Sequence, residues 1–168
     1  MAAKKRCTLL RHAKSSWSDP DLGDHDRPLN ERGERDASRM ARRLRAVGVR
    51  PSLIITSTAA RALQTVRLFA RETGYPLEFL QREPDLYLAT PDVIMRIIGQ
   101  QDAGFNNLLV CGHNPGMSEL AAELTRGTVR ELPTCGAVIL DASIRDWSEM
   151  PGAEWQLIGI ETPKAIAG

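Results

Sequence analysis

The sequence predicts an α/β fold, a sandwich of helices around a mainly parallel central sheet. Three observations predict it. Short apolar runs of strand length alternate along the chain with longer segments whose apolar residues recur at helical spacing. Polar residues capable of chemistry fall directly after those runs, where open α/β sheets bind their ligands. The 168 residues, 42% hydrophobic and 26% charged, suit one soluble domain spanning residues 1–168 with material for a real core.

Each element has its own signal. Cys7-Thr8-Leu9-Leu10 reads as a buried strand ending at Arg11. Residues 13–30 are polar and rich in Asp, Ser and Pro, which marks a long functional loop. From Glu31 to Val47 the apolar positions Ala37, Met40, Ala41, Leu44 and Val47 follow helical spacing, with Asn30 to cap the helix and Gly48 to end it. Leu53-Ile54-Ile55 is a second buried strand, leading through Ser57-Thr58 into a helix from about Ala59 to Glu72. Residues 91–98 form a third helix, with Thr90 as cap and Pro91 in the first turn. Asn107 to Cys111 is a strand that ends in Gly112-His113-Asn114-Pro115, and a helix follows through about Leu124. Ala137–Leu140 and Trp155–Ile160 are the last strands. No repeat or linker divides the chain.

Composition excludes several classes of function. A net charge of +1 speaks against nucleic-acid binding. The basic residues between Arg32 and Arg50 interleave with Glu31, Glu34 and Asp36, as on a solvated helix face. Cys7, Cys111 and Cys135 are odd in number and widely spaced, so neither a disulfide framework nor a metal cluster is expected. Cys7 and Cys111 sit in apolar runs, as small hydrophobes do. Too few apolar residues follow the basic start, Met1 to Arg6, for a signal peptide, and no run approaches a membrane helix. The expectation is a cytoplasmic protein.

The chemistry collects at the strand ends. Arg11-His12, Ser57 to Arg61 and His113-Asn114 each follow an apolar strand, so segments far apart in sequence converge on one site. Two of them open helices, at Ala59 and Pro115, whose dipoles favour anions. Two arginines, two histidines and two helix starts describe a phosphate pocket that needs no metal and no cofactor. A neutral imidazole at His12 can attack phosphorus in line, and water then hydrolyses the phosphohistidine. Arg11 and Arg61 supply the forks that hold the equatorial oxygens, and their charge keeps His12 neutral. Asn114 joins the phosphate-binding set. Ser18 either contacts phosphate or only shapes the loop. His25 reads as a satisfied polar residue, Gln64 and Thr65 as helix support, and Trp147 and Trp155 as packing.

These residues belong to longer motifs. Arg11-His12-Ala13-Lys14-Ser15-Ser16-Trp17 resembles the signature that opens the histidine phosphatase superfamily, the phosphoglycerate mutase-like fold. The resemblance continues through Asp26-Arg27-Pro28-Leu29-Asn30-Glu31-Arg32-Gly33, Ser57 to Thr65, and Gly112-His113-Asn114-Pro115-Gly116. It covers nearly the whole chain and is strongest to the short SixA-like phosphohistidine phosphatases. That resemblance implies a three-layer α/β/α sandwich, His12 as the phosphorylated nucleophile, and Arg11, Arg61 and His113 around the phosphate. Two departures stand out. Ala13 and Lys14 replace the Gly and Glu usual after the nucleophile, and Lys14 adds positive charge at the pocket mouth. Many relatives also place a carboxylate general acid after the middle strand. Here that stretch is Glu83-Pro84-Asp85-Leu86-Tyr87, with Asp85 the first candidate and Asp26 and Glu83 behind it.

An ill-fitting acid tilts the substrate toward a good leaving group. An alkoxide leaves slowly without a proton donor, which typically contributes about 10²–10⁴ in rate. Imidazole, with a pKa of about 6.5, needs far less help. The expected substrate is therefore phosphohistidine in a protein partner. The alternatives are a phosphatase for small phosphorylated metabolites and a non-catalytic phosphate-binding module.

Overall fold

The computed structural model describes residues 4–167. In chain order the elements are β1 (Lys4–Arg11), α1 (Glu31–Ala46), β2 (Leu53–Thr56), α2 (Ala60–Thr73), β3 (Gln81–Arg82), α3 (Pro91–Gly99), β4 (Asn107–Gly112), α4 (Gly116–Leu124), β5 (Ala137–Ser143), β6 (Gln156–Glu161) and α5 (Pro163–Ala167). One six-stranded sheet runs β3-β2-β4-β1-β5-β6. β3, β2, β4 and β1 pair in parallel, and β5 runs against both β1 and β6. The sheet is mixed, with a parallel majority.

Strand periodicity divides the core. Cys7, Leu9, Ile55, Leu108 and Val110 face one layer, with Ile94 and Ile98 of α3 and Leu120 of α4. Leu10, Ile54, Leu109 and Cys111 face the other, against Met40 and Leu44 of α1 and Val66 and Phe69 of α2. Side chains one residue apart thus bury on opposite faces, giving the expected three layers. Trp147 lies fully buried in the first layer and Trp155 packs at its edge.

Helix ends follow their signals. Asn30 Oδ1 accepts from Gly33 N at 2.8 Å, and the Thr90 hydroxyl faces Val93 N. Two glycines serve close approach. A Cβ on Gly33 would stand 2.1 Å from the Lys14 carbonyl oxygen, and one on Gly116 1.9 Å from that of Ala89. The starts of α1 and α4 therefore press against the two loops that border the carboxyl end of the sheet. β1 begins three residues earlier than its apolar run, and β3 carries no apolar run at all.

Candidate active site

β1, β2 and β4 lie side by side, so the residues after them meet. His12 N donates to Gly112 O at 3.1 Å, and Ser57 N to Cys111 O at 3.1 Å. His12, Arg61 and His113 are all buried, yet line one cleft of about 300 Å³ together with Arg11 and Asn114. A larger groove, about 430 Å³, opens at the far end of the sheet beside Asp141 and Trp155, but no histidine lines it.

The ring nitrogens have defined roles. His12 Nδ1 lies 2.7 Å from Ala13 O, and a carbonyl only accepts, so Nδ1 carries the proton. Nε2 is left with its lone pair, facing Arg61 Nε at 3.4 Å. Burial above all pushes the His12 pKa down to about 4, with Arg61, Arg11 and Arg27 adding to it against the Ala13 hydrogen bond. The arginines do favour the neutral ring, as expected, but desolvation is the larger cause.

His113 sits with its ring centroid 5.0 Å from that of His12. Its Nε2 is 2.7 Å from Ser57 Oγ, which also accepts from Ala59 N at 3.2 Å. Nε2 is the one acceptor within reach of the Ser57 hydroxyl among the described residues, so the hydroxyl is assigned as donor to Nε2 and the imidazole proton to Nδ1. That Nδ1 is buried and has no partner among the described residues. Arg11 gives Nη1 to Leu132 O at 3.0 Å, while its buried Nε is likewise unpartnered. Burial, then neighbouring His12 and Arg61, lowers the His113 pKa to about 3.

Arg61 is held from both sides. Its Nη1 donates to Asp24 O at 2.7 Å and its Nη2 to Asp24 Oδ2 at 3.0 Å. Asp24 Oδ1 takes Nε and Nη2 of Arg27, and the Tyr87 hydroxyl donates to Asp24 Oδ2. The Tyr87 hydrogen bond, then Arg27 and Arg61, hold the Asp24 carboxyl well below the usual carboxylate range despite partial burial. The same hydrogen bond raises the Tyr87 phenol.

The structure places the expected residues unevenly. Arg11, His12, Arg61 and His113 come together. Asn114 lines the cleft, though its amide is largely engaged with Leu132 O and Ser118. Asp85 requires correction as the candidate acid. In the turn Pro84–Leu86 it is exposed, because Leu86 is buried and Tyr87 turns toward Asp24 and His113. Glu83 caps that turn, and Asp26 is exposed beside His25. Ser18 also requires correction: it is exposed, bonds Ser16, and leaves the cleft wall to Ser15. The two helix starts lend dipoles more than free amides, since Ser57 holds Ala59 N and Asn114 holds Ser118 N.

Sequence reasoning passed over Asp24, Tyr87 and the role of Arg27. Arg27 lay within a quoted motif, but Asp24 is one acid among several in a polar loop. His25, with Nε2 2.9 Å from Thr58 Oγ1, is the satisfied residue expected. Gln64 and Thr65 hold the loop, accepting from Leu29 N and Ala13 N.

Known proteins resemble this chain in sequence and in fold. Residues 7–85 match the family model for the histidine phosphatase superfamily (branch 1). An uncharacterized chloroplastic protein of Arabidopsis thaliana is 35% identical over 95% of this chain and 78% of its own length. A structure carrying the name phosphohistidine phosphatase SixA, from Agrobacterium tumefaciens, superposes with a TM-score of 0.81 at 30% identity, covering 95% of this chain and 98% of that one. A namesake from Nakamurella multipartitia gives 0.83 at 25% identity, covering 96% and 98%.

Proposed function

Because this chain belongs to the histidine phosphatase superfamily, in its SixA-like branch, we propose that it removes phosphate from phosphohistidine in a protein partner, with His12 as the nucleophile. Phosphatase activity is what membership of the family supports; the roles and the substrate below are our reading.

One observation carries it. A buried histidine whose Nε2 lone pair takes only a long 3.4 Å hydrogen bond from Arg61 Nε shares a cleft with two buried donors, Arg11 Nε and His113 Nδ1, that have no partner among the described residues. Leaving such donors unpaired costs about 1–3 kcal/mol each, so their persistence calls for an acceptor that arrives from outside. A phosphoryl oxygen is such an acceptor. His12 Nε2 attacks phosphorus; the P–N bond of the substrate breaks as its imidazole leaves with the electron pair. Arg11 and Arg61 neutralise the equatorial oxygens, and neutral His113 donates its Nδ1–H to one of them. Water then attacks the phosphorus on His12, releasing inorganic phosphate and restoring the neutral ring.

The substrate follows from the acid. Asp24, the carboxylate paired with Arg61, is tied to two arginines and Tyr87 and stays ionised, and Tyr87 holds its proton more tightly than an ordinary phenol. Neither protonates an alkoxide readily, which favours a leaving group that needs little protonation. The test is a substrate panel with label mapping. Phosphohistidine protein should be turned over with kcat/KM at least about 10² above that of sugar phosphates, and an acid-labile phosphoryl label should map to His12. Faster turnover of sugar phosphates would assign a metabolite phosphatase instead, and binding without turnover a phosphate-binding module.

A further inference from the structure

The three tryptophans of this chain are used in two ways. Trp147 is fully buried and gives Nε1–H to Phe105 O at 2.8 Å; Trp155 is half-buried and gives its own to Met150 O at 3.1 Å. Trp17 is 77% exposed, and its indole has no hydrogen bond among the described residues. One face of that ring lies 3.5 Å over the Arg27 guanidinium. Arg27 is itself buried and clamped by Ser15 Oγ, Ser16 O and Asp24. An aromatic ring thus rests at the cleft on a clamped guanidinium, with most of its surface open to solvent. Leu88 lines the same cleft, 53% exposed, with φ at 51°, a backbone region that leucine rarely adopts. Beneath it, Ala89 is pressed against Gly116. Two large apolar side chains are therefore displayed, against their own preference, at the mouth of an anion pocket.

We propose that the free face of Trp17, with Leu88 beside it, is the specificity-determining platform for the ring that carries the phosphoryl group. This rests on the phosphatase reading above and narrows its substrate class to phosphate carried on a flat, cationic or polarised nitrogen ring. With His12 attacking from inside the pocket, in-line geometry sends the leaving group toward the mouth, where Trp17 and Leu88 lie. An imidazole that departs from phosphorus is protonated on its other nitrogen. While the phosphoryl group is still attached, that protonated ring is cationic, and the face of an indole is the most favourable aromatic surface for it; the ring then departs as neutral imidazole. Because Trp17 already stacks on the clamped Arg27 guanidinium, less of its ordering is left for the substrate to bring about.

The experiment compares two P–N substrates, a phosphohistidine-bearing peptide and phosphoramidate, which has no ring. The readout is the ratio of their kcat/KM values. In Trp17→Ala that ratio should fall about three- to thirtyfold through KM of the peptide, the range expected of one stacked or cation–π contact. Trp17→Phe, which keeps an aromatic face, should hold the ratio within about threefold of the parent. An unchanged ratio in Trp17→Ala, whether both substrates suffer equally or neither does, overturns the platform and leaves the phosphatase standing. A parent protein that turns over neither substrate overturns the phosphatase and the platform together.

Discussion

The two ends of the sheet treat buried polar groups in opposite ways. At the amino end of β1, Lys5 is almost fully buried, and its Nζ reaches Ala103 O, Phe105 O and Asn106 Oδ1. Its neighbour Arg6 pairs doubly with buried Asp141, at 2.8 and 3.0 Å. At the carboxyl end of the same strand, Arg11 Nε is buried without a partner among the described residues, as is His113 Nδ1 next door. The remaining unpartnered buried atoms, Thr8 Oγ1 and Asn107 Oδ1, are neutral and belong to the strands themselves. One strand thus carries a satisfied basic cluster at one end and an unsatisfied one at the other. The first is architecture. The second is a site kept ready for an acceptor the protein does not supply, the local conflict expected where function overrides stability.

The sharpest way to break that contrast is to remove the nucleophile. His12→Ala should abolish the covalent label and lower kcat/KM by about 10⁴ or more, while removing a buried ring with a strongly lowered pKa leaves the fold intact. Retained turnover in His12→Ala, measured on phosphohistidine protein, would reject the chemistry.

Next come paired substitutions at the two ends. Arg11→Met should cost about 10- to 150-fold in kcat/KM, the equivalent of one charged hydrogen bond. Thermal stability should hold, because Leu132 O keeps its bond from Asn114 Nδ2. Lys5→Met should do the reverse, losing about 1–3 kcal/mol in denaturant melts as Ala103 O and Asn106 Oδ1 lose their lysine donor while Phe105 O keeps Trp147 Nε1, with kcat/KM unchanged. If both variants failed in the same assay, the two ends would not differ in kind.

Titration extends the comparison. The folded pKa values of His12 and His113, about 4 and about 3, lie below the ordinary 6.5. The unfolded chain therefore binds protons first as pH falls, so these histidines leave stability whole above about pH 6.5 and erode it from there toward pH 4, by up to about 1.4 kcal/mol per unit for each. Melting temperature should drop across that window, and less steeply in His113→Asn. The acid limb of kcat/KM, which reports the free enzyme, should lie near pH 4 rather than 6.5. A limb at 6.5 would mean that His12 is not the desolvated base the cleft makes it.

What the sequence revealed and what it hid have physical reasons. Arg11, His12 and His113 were legible because each is among the first polar residues after an apolar strand, and strand ends are set by local pattern. β1 hid its first residues because Lys5 breaks the apolar run, and only the distant loop at 103–106 explains its burial. β3, two residues long, is a strand only because β2 pairs with it. Asp24 enters the cleft because loop 13–30 is pinned down by contacts with no local signature, Ser15 bridging Leu29 and Leu29 N bonded to Gln64. Tyr87 is two residues from Asp85, and the turn at 84–86 decides which of the two faces inward.

The smallest effect discriminates most finely among the carboxylates. Asp85→Asn should leave the ratio of aryl to alkyl phosphate turnover unchanged, since residue 85 is exposed and only its backbone N–H is engaged, donating to Glu83 Oε1 at 3.4 Å. Asp24→Asn should instead lower turnover of both substrates about equally, because it loosens the Arg61 and Arg27 guanidinium groups and removes no proton donor. A true acid behaves differently: its loss penalises the alkyl ester far more than the aryl ester, whose leaving group departs unaided. Were Asp85→Asn to produce that split, the turn at 84–86 would have to bring its carboxylate into the cleft during turnover. Were Asp24→Asn to produce it, phosphate binding would have to release Asp24 from Arg61 and raise its proton affinity. Either result would move the substrate away from phosphohistidine and toward ordinary phosphate esters, because a working acid removes the reason to require an activated leaving group.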